Sequence, residues 1–152
     1  MRKVIVSIFI ASAALVMFSC RSSKEALSLS SMNGEWNIIE INGSAVVPGQ
    51  GQQLPFIGFD TTTGKVYGYS GCNRIIGSVD VNAKPGTIDL GALGSTRMAC
   101  PDMTLEQNVL GALAQVKGYK KMGKENMALC NASNRPVVIL AKKAADVKVA
   151  DL

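Results

Sequence analysis

The groups able to do chemistry in this 152-residue chain are four cysteines, eleven acids and sixteen lysines and arginines, with no histidine. Without histidine, neither a Ser-His-Asp nor a Cys-His nucleophilic arrangement can be built. The commonest zinc ligand is missing too, and no Cys-x-x-Cys pair stands in for it. Neither a Gly-x-x-x-x-Gly-Lys-Ser/Thr phosphate loop nor a Rossmann glycine fingerprint occurs. No catalytic residue, metal site or cofactor is therefore expected. The acids are sparse. Acid/base work would need the fold to bring together Asp80 with Asp89, or Glu35 with Glu40.

Cys20 ends a leader. Arg2 and Lys3 open the chain, an apolar run over 4–18 follows with only Ser7 and Ser12 inside it, and Ser19-Cys20 gives way to Arg21-Ser22-Ser23-Lys24-Glu25. The run is about 15 residues where a membrane-spanning helix needs roughly 20, so residues 1–19 read as a secretory signal. Met17-Phe18-Ser19-Cys20 resembles a bacterial lipobox, with Met17 and Phe18 departing from its usual Leu-Ala type. The Cys20 thiol would take a diacylglycerol thioether, and its freed amine a further acyl chain. Each buried CH₂ adds roughly 0.8 kcal/mol, and stable anchoring takes more than one chain. The expected place is a bacterial cell envelope, lipid-anchored, with the outer membrane as the expected membrane. Residues 20–32 then form the lipidated cysteine and a Ser-rich tether, whose flexible reach is roughly 20 Å.

Once Cys20 is acylated, three thiols remain, so one bridge forms at most and one thiol is left over. Export puts them in a disulfide-permissive compartment. Of the three pairings, Cys72 with Cys100 is the expected one, because it ties the Gly71-Cys72 corner to the start of a helix. The loop it closes is worth roughly 3–4 kcal/mol by the chain-entropy argument. Cys130 alternates with Leu129 in a strand pattern and reads as a small buried hydrophobe. At the corner, Gly68 and Gly71 permit a tight bend. Either Asn73 bonds backbone and Arg74 faces solvent or a carboxylate, or both project and bind a polar ligand. Arg97 is the third candidate for such a ligand. Met98, Met103, Met122 and Met127 read as a soft cluster that fills a core or lines an apolar cavity.

The elements that must position these residues are mainly strands. Trp36 to Ile41 ends at Asn42-Gly43, a strong turn signal. Phe56 to Phe59 and Val66 to Tyr69 flank a five-residue turn, Asp60-Thr61-Thr62-Thr63-Gly64. Ile75 to Val81 and Thr87 to Leu90 read as further strands, separated by Lys84-Pro85-Gly86. Ala128 to Cys130 and Val137 to Leu140 form a second hairpin around 131–135. Over 102–117, Leu105, Val109, Ala112, Leu113 and Val116 keep helical spacing. Asp102 or Thr104 can cap that helix, Thr104 with Gln107 as in a capping box, and Gly118 suits its stop. Glu106 in its first turns favours the dipole. A helix with one apolar stripe must bury it against the sheet. The expected fold is thus α+β, mostly β: a curved antiparallel sheet or incomplete barrel of about eight strands with one packed helix.

One domain, over 33–142, fits the length, with 143–152 as a tail. The formal charge of +5 falls to +3 without Arg2 and Lys3, because residues 1–19 hold no acid. Beyond the leader, the only adjacent basic pairs are Lys120-Lys121 and Lys142-Lys143. Nucleic-acid binding wants clustering and aromatic platforms, so it is not expected.

Several blocks together resemble the META domain family, that of the HslJ-like lipoproteins. They are Asn33-Gly34-Glu35-Trp36, Ser70-Gly71-Cys72-Asn73-Arg74 with Gly77, and Ser95-Thr96-Arg97-Met98-Ala99-Cys100. Glu106, Leu113 and the strand Val137 to Leu140 continue the likeness. The resemblance implies a small β-rich domain with one helix, often in envelope lipoproteins and linked to envelope stress and antibiotic tolerance, with no established reaction. It departs from the simplest members in having Cys130. The expected role is non-enzymatic binding or scaffolding by a monomer, held at a membrane by its lipid, with an envelope protein or a hydrophobic ligand as partner. Two alternatives stand beside it: a carrier of a lipid or other hydrophobic ligand in a barrel cavity, and a carboxylate-based hydrolase.

Overall fold

A computed structural model describes residues 27–144. The signal over 1–19, Cys20, tether residues 21–26 and tail residues 145–152 lie outside the described residues. The chain enters through a 3₁₀ turn, Leu29–Met32, and then makes nine strands and one helix. The strands are β1 Gly34–Ile41, β2 Ser44–Ala45, β3 Phe56–Asp60, β4 Lys65–Tyr69, β5 Arg74–Ser78, β6 Gly94–Ser95, β7 Gly118–Met122, β8 Asn126–Cys130 and β9 Pro136–Lys142. The helix, α1, is Thr104–Leu113.

All pairings are antiparallel, in the order β6-β5-β4-β3-β1-β9-β8-β7, with β2 attached to β1. The sheet is not closed. The segment after β5 reaches both of its ends: Thr87 bridges to Gly118 at the start of β7, and Gly94–Ser95 pairs with β5. The expected incomplete barrel with one helix is therefore the fold found, with nine strands rather than about eight.

Local chemistry explains the turns. Asn42 (φ 49°) and Gly43 (φ 82°) both take the left-handed region, as a type I′ hairpin requires. In the β3–β4 turn, Asp60 accepts the amide N–H groups of Thr62 and Thr63 and the Thr63 hydroxyl. Those bonds, the Thr63 hydroxyl first, hold the Asp60 carboxyl below the usual carboxylate range. A lowered folded value means the contribution is present at neutral pH and fades as pH falls through that value. In the β8–β9 turn, Asn131 Oδ1 accepts the N–H groups of Ser133 and Arg135.

The inner face of the sheet carries Trp36, Ile38, Ile57, Phe59, Val66, Ile75, Leu129, Val138 and Leu140. They pack with Val109, Ala112 and Leu113 of α1 and with Val116 beyond it. All are buried, and each large aliphatic or aromatic side chain contributes about 1.5–3 kcal/mol. A bulge between Ile38 and Glu40 lets β1 keep both Ile38 and Ile41 inside. These side chains occupy the space between helix and sheet.

Several expectations need correction. The helix is shorter than 102–117: after Leu113 the N–H groups of Gln115 and Val116 bond three residues back, a tightened final turn. Gly118 is the first residue of β7, not a helix stop, and a Cβ there would lie 2.9 Å from the Gly86 carbonyl oxygen. Thr104 makes no capping-box bond; Asp102 instead accepts the Thr104 N–H. Thr87 to Leu90 forms a single bridge rather than a strand, although Ile88 and Leu90 are buried. The methionines form no cluster, since Met127 is buried while Met98 and Met122 are 61% and 41% exposed.

The last stretch of the expected tether is structured. Met32 is fully buried, Leu27 and Leu29 pack on the core, and the Leu27 carbonyl accepts the Tyr119 hydroxyl and the Gly86 N–H. The Met32 carbonyl accepts the Trp36 indole N–H at 2.7 Å. At the other end, the expected tail boundary falls inside the fold, because Lys143 pairs with Glu35 at 2.7 Å.

Two glycines give opposite expectations. A Cβ at Gly68 would meet the Phe56 carbonyl oxygen at 2.2 Å, whereas one at Gly111 on α1 would meet nothing within 4 Å. Gly68→Ala should lower stability in urea unfolding by about 1–3 kcal/mol or more. Gly111→Ala should raise it by about 0.5–1 kcal/mol.

Candidate functional site

The corner Ser70–Asn73 turns β4 into β5. The Ser70 N–H and hydroxyl both donate to the Asn73 carbonyl, at 2.9 and 2.8 Å. Gly71 sits at φ 113°, and a Cβ there would lie 3.0 Å from Leu105 Cγ, so only glycine lets the corner touch the helix. Cys72 is bridged to Cys100, with Cα atoms 6.2 Å apart, as expected.

Asn73 does not project. It is 1% exposed, and every polar group it has is engaged. Its backbone N–H donates to Glu106 Oε2 at 2.9 Å. Its amide nitrogen donates to the Glu106 carboxylate (3.0 Å to each oxygen) and to the Met98 carbonyl at 3.1 Å. Its Oδ1 accepts the Thr96 hydroxyl and the Met98 N–H, both at 2.7 Å. Thr96 in turn accepts the Arg74 N–H, and its own N–H donates to the Arg74 carbonyl.

Three separate sequence blocks thus converge on one buried amide. Glu106, expected as a dipole partner on the helix, is 6% exposed and is the anionic centre of this knot. Sequence reasoning missed that role. The available signal was an acid one position from Leu105 on a helix whose start the disulfide pins beside Asn73.

Among the described residues, no buried side-chain nitrogen or oxygen lacks a partner. The knot therefore has no free group to offer a reactant; it is a clamp joining the β4–β5 corner, the 96–100 segment and α1.

What the clamp leaves at the surface is Arg74, which is exposed, and Arg97, also exposed. Arg74 borders a cleft of about 590 Å³ beside the disulfide, with Gln52, Gln53, Phe56, Tyr69 and Met98. Arg97 is not among the residues lining it. A smaller cleft, about 240 Å³, shares Phe56 and Arg74 and adds Lys65, Tyr67 and Ile76.

The carboxylates are mostly spent locally. Asp80 and Asp89 do border one surface cleft of about 280 Å³. Asp89 is paired there with Lys117 at 2.7 Å, which with the Gly91 N–H holds its carboxyl low, and Asp80 accepts the Asn82 N–H. Glu35 is bound to Lys143 and not to Glu40. Among the described residues, no group of three or more His, Cys, Asp or Glu side chains could hold a metal ion.

Among the described residues Cys130 is the free thiol, and it is buried on the outer sheet face with Ala128 and Ile139. Burial pushes its pKa up, which keeps it as the unreactive thiol.

Removing the acid should strand two buried donors. Glu106→Ala should cost roughly 3 kcal/mol or more in urea unfolding. Asn73→Asp would set two carboxylates at hydrogen-bond distance. It should destabilise the domain in urea unfolding at neutral pH. For the thiols, non-reducing peptide mapping should recover Cys72 linked to Cys100. Iodoacetamide should label Cys130 only after unfolding; rapid labelling of the native protein would contradict its burial.

Comparison with known proteins gives the family and the fold. Residues 27–144 match the META domain, which is not a known enzyme family. No curated protein matches. Among solved structures, an NMR structure of a protein from Burkholderia xenovorans is 24% identical, with a TM-score of 0.57 over 76% of this chain and 86% of that one. A crystal structure of a DUF4847 family protein from Bacteroides vulgatus ATCC 8482 is 15% identical, with a TM-score of 0.52 over 76% and 96%. At these identities the likeness is one of fold. The corner, the Thr96–Cys100 segment and the helix that meet at Asn73 all lie within the matched residues, and the chain belongs to the META domain family.

Proposed function

We propose that this protein is a lipid-anchored bacterial envelope protein whose META domain acts by binding or scaffolding rather than by catalysis. The observation that carries the reading is the saturation of the Asn73–Glu106 knot. Asn73, Thr96 and Glu106, three of the polar residues that mark the family resemblance, are used up holding the domain together, while Arg74 and Arg97 stay at the surface. Function is then left to the surface.

The Cys72–Cys100 bridge supports an oxidising compartment, and the leader with Cys20 supports delivery there and attachment through lipid. The first described residue, Leu27, already packs on the core. The last part of the expected 20–32 tether, from Leu27 on, thus belongs to the domain. A role in envelope stress or antibiotic tolerance belongs to this reading through the family resemblance.

The two alternatives fare less well. A hydrophobic-ligand carrier needs interior space, and Val109, Leu113 and Val116 fill the region between helix and sheet. A carboxylate hydrolase needs two free acids across a cleft, and Asp89, Glu35 and Glu106 are each committed to a partner.

The anchor is tested by membrane fractionation with radiolabelled palmitate. The parent protein should carry label and sediment with membranes. Cys20→Ala should lose the label; a variant that keeps it would refute lipidation at Cys20.

A further inference from the structure

The outer face of the sheet at β3, β4 and β5 is unlike the rest of the surface. Phe56 pairs with Tyr69, and Tyr69 with Arg74, so these three side chains form one row across three strands. Tyr67 pairs with Ile76 in the next row, and its ring lies over Gly58, where a Cβ would be 2.5 Å from the ring. Ile76 is 57% exposed. The two clefts described above lie along these rows and meet at Phe56 and Arg74.

Charge distinguishes this face. The linings of the two clefts hold two cations, Arg74 and Lys65, and no acid. Arg74 has no ion-pair partner among the described residues. Two acids stand close by: Glu35, which is hydrogen-bonded to Tyr67 and paired with Lys143, and Asp60 near Lys65; Lys143 Nζ is 4.4 Å from the centre of the Phe56 ring. That contact fixes the Phe56 ring from one side.

Arg74 is itself well placed. Its backbone is locked to Thr96 in both directions, and Thr96 is locked to the buried Asn73. The backbone that carries the guanidinium is therefore held in place. Pre-organisation of this kind lowers the ordering cost of binding.

We propose that this face binds a small carboxylate that carries an apolar body. The Arg74 guanidinium takes the carboxylate as a two-pronged hydrogen-bond partner. Phe56, Tyr69 and Met98 cover the apolar part, and the side-chain amides of Gln52 and Gln53 orient it. The larger cleft, about 590 Å³, lies in the size range of small-molecule sites. A carboxylate fits better than a phosphate, because one planar fork lines the larger cleft and Lys65 borders only the smaller one. This inference rests on the binding reading above, but not on the membrane anchor.

The test is an NMR titration of the full chain, purified in detergent, with three probes: N-acetyl-phenylalanine, N-acetyl-phenylalaninamide and phenyl phosphate. A protein-free detergent sample controls for partitioning. N-acetyl-phenylalanine should shift the Arg74 Nε–H and the Gln52 and Gln53 amide signals saturably. The neutral amide should bind about tenfold or more weakly, as expected for loss of a charge-assisted pair. Arg74→Gln should abolish the preference for the acid, and Arg74→Lys should retain part of it. Arg74 is exposed, so an unchanged thermal melt would confirm that each variant is folded. No shift at these groups up to about 10 mM probe would overturn the proposal, that being far weaker than a useful site. Equal binding of acid and amide, or an unaltered preference in Arg74→Gln, would overturn it as well. Tighter binding of phenyl phosphate would overturn the carboxylate assignment. None of these results bears on palmitate labelling at Cys20.

Discussion

A carboxylate inside a protein is costly unless donors surround it. In this domain the acid is Glu106, and the donors come from one residue, Asn73, through its backbone N–H and its side-chain amide. Because that amide has two faces, its oxygen is free to capture Thr96 and Met98. One buried pair therefore fixes a hairpin corner, an irregular segment and the only helix of the described residues. The disulfide between Cys72 and Cys100 ties the same parts covalently. The two restraints act on different states. The bridge chiefly limits the unfolded ensemble by closing a 28-residue separation. The hydrogen bonds make the native arrangement specific, since any displacement of the helix would leave a buried charge unpartnered.

That constraint shapes what the domain can offer. The inner face of the sheet is filled by α1 and Val116, and the corner residues are consumed by one another. On the outer face, the β8–β9 side keeps Ala128, Cys130 and Ile139 buried. The β3–β5 side instead leaves Phe56, Tyr67 and Tyr69 half-exposed beside Arg74. The asymmetry follows from the two glycines of that hairpin. Gly58 makes room for the Tyr67 ring, and Gly68 allows the backbone of β4 to approach Phe56. An aromatic surface next to an exposed arginine whose backbone is held by Thr96 is the result.

Much of this was legible in the sequence. The Asn42-Gly43 turn, the two main hairpins and the helical stripe from Leu105 to Val116 follow from local pattern; counting left three thiol pairings, of which the expected one, Cys72 with Cys100, is found. The errors share a cause. Thr87 to Leu90 alternates like a strand because Ile88 and Leu90 face the core, yet the sheet offers it one bridge. Gly118 looks like a helix stop, but its lack of a Cβ serves a contact with the Gly86 carbonyl, more than thirty residues earlier in the chain. The Ser-rich entry looks like plain tether, but Leu27 finds a partner in Tyr119. In each case a residue's role was set by a neighbour distant in sequence.

Alone, the sequence determined most of the elements, the blocks that carry the family resemblance and which chemistries lack their residues, because periodicity, turn preference and residue inventory act locally or by simple presence. The tertiary structure decided where the polar family residues point. Asn73 and Arg74 are neighbours in the chain, yet one is sealed against Glu106 and the other stands in solvent beside Phe56 and Tyr69. The alternation of a strand sends adjacent side chains to opposite faces. Which face is core depends on where the helix lands, and the buried charge of Glu106 fixes that.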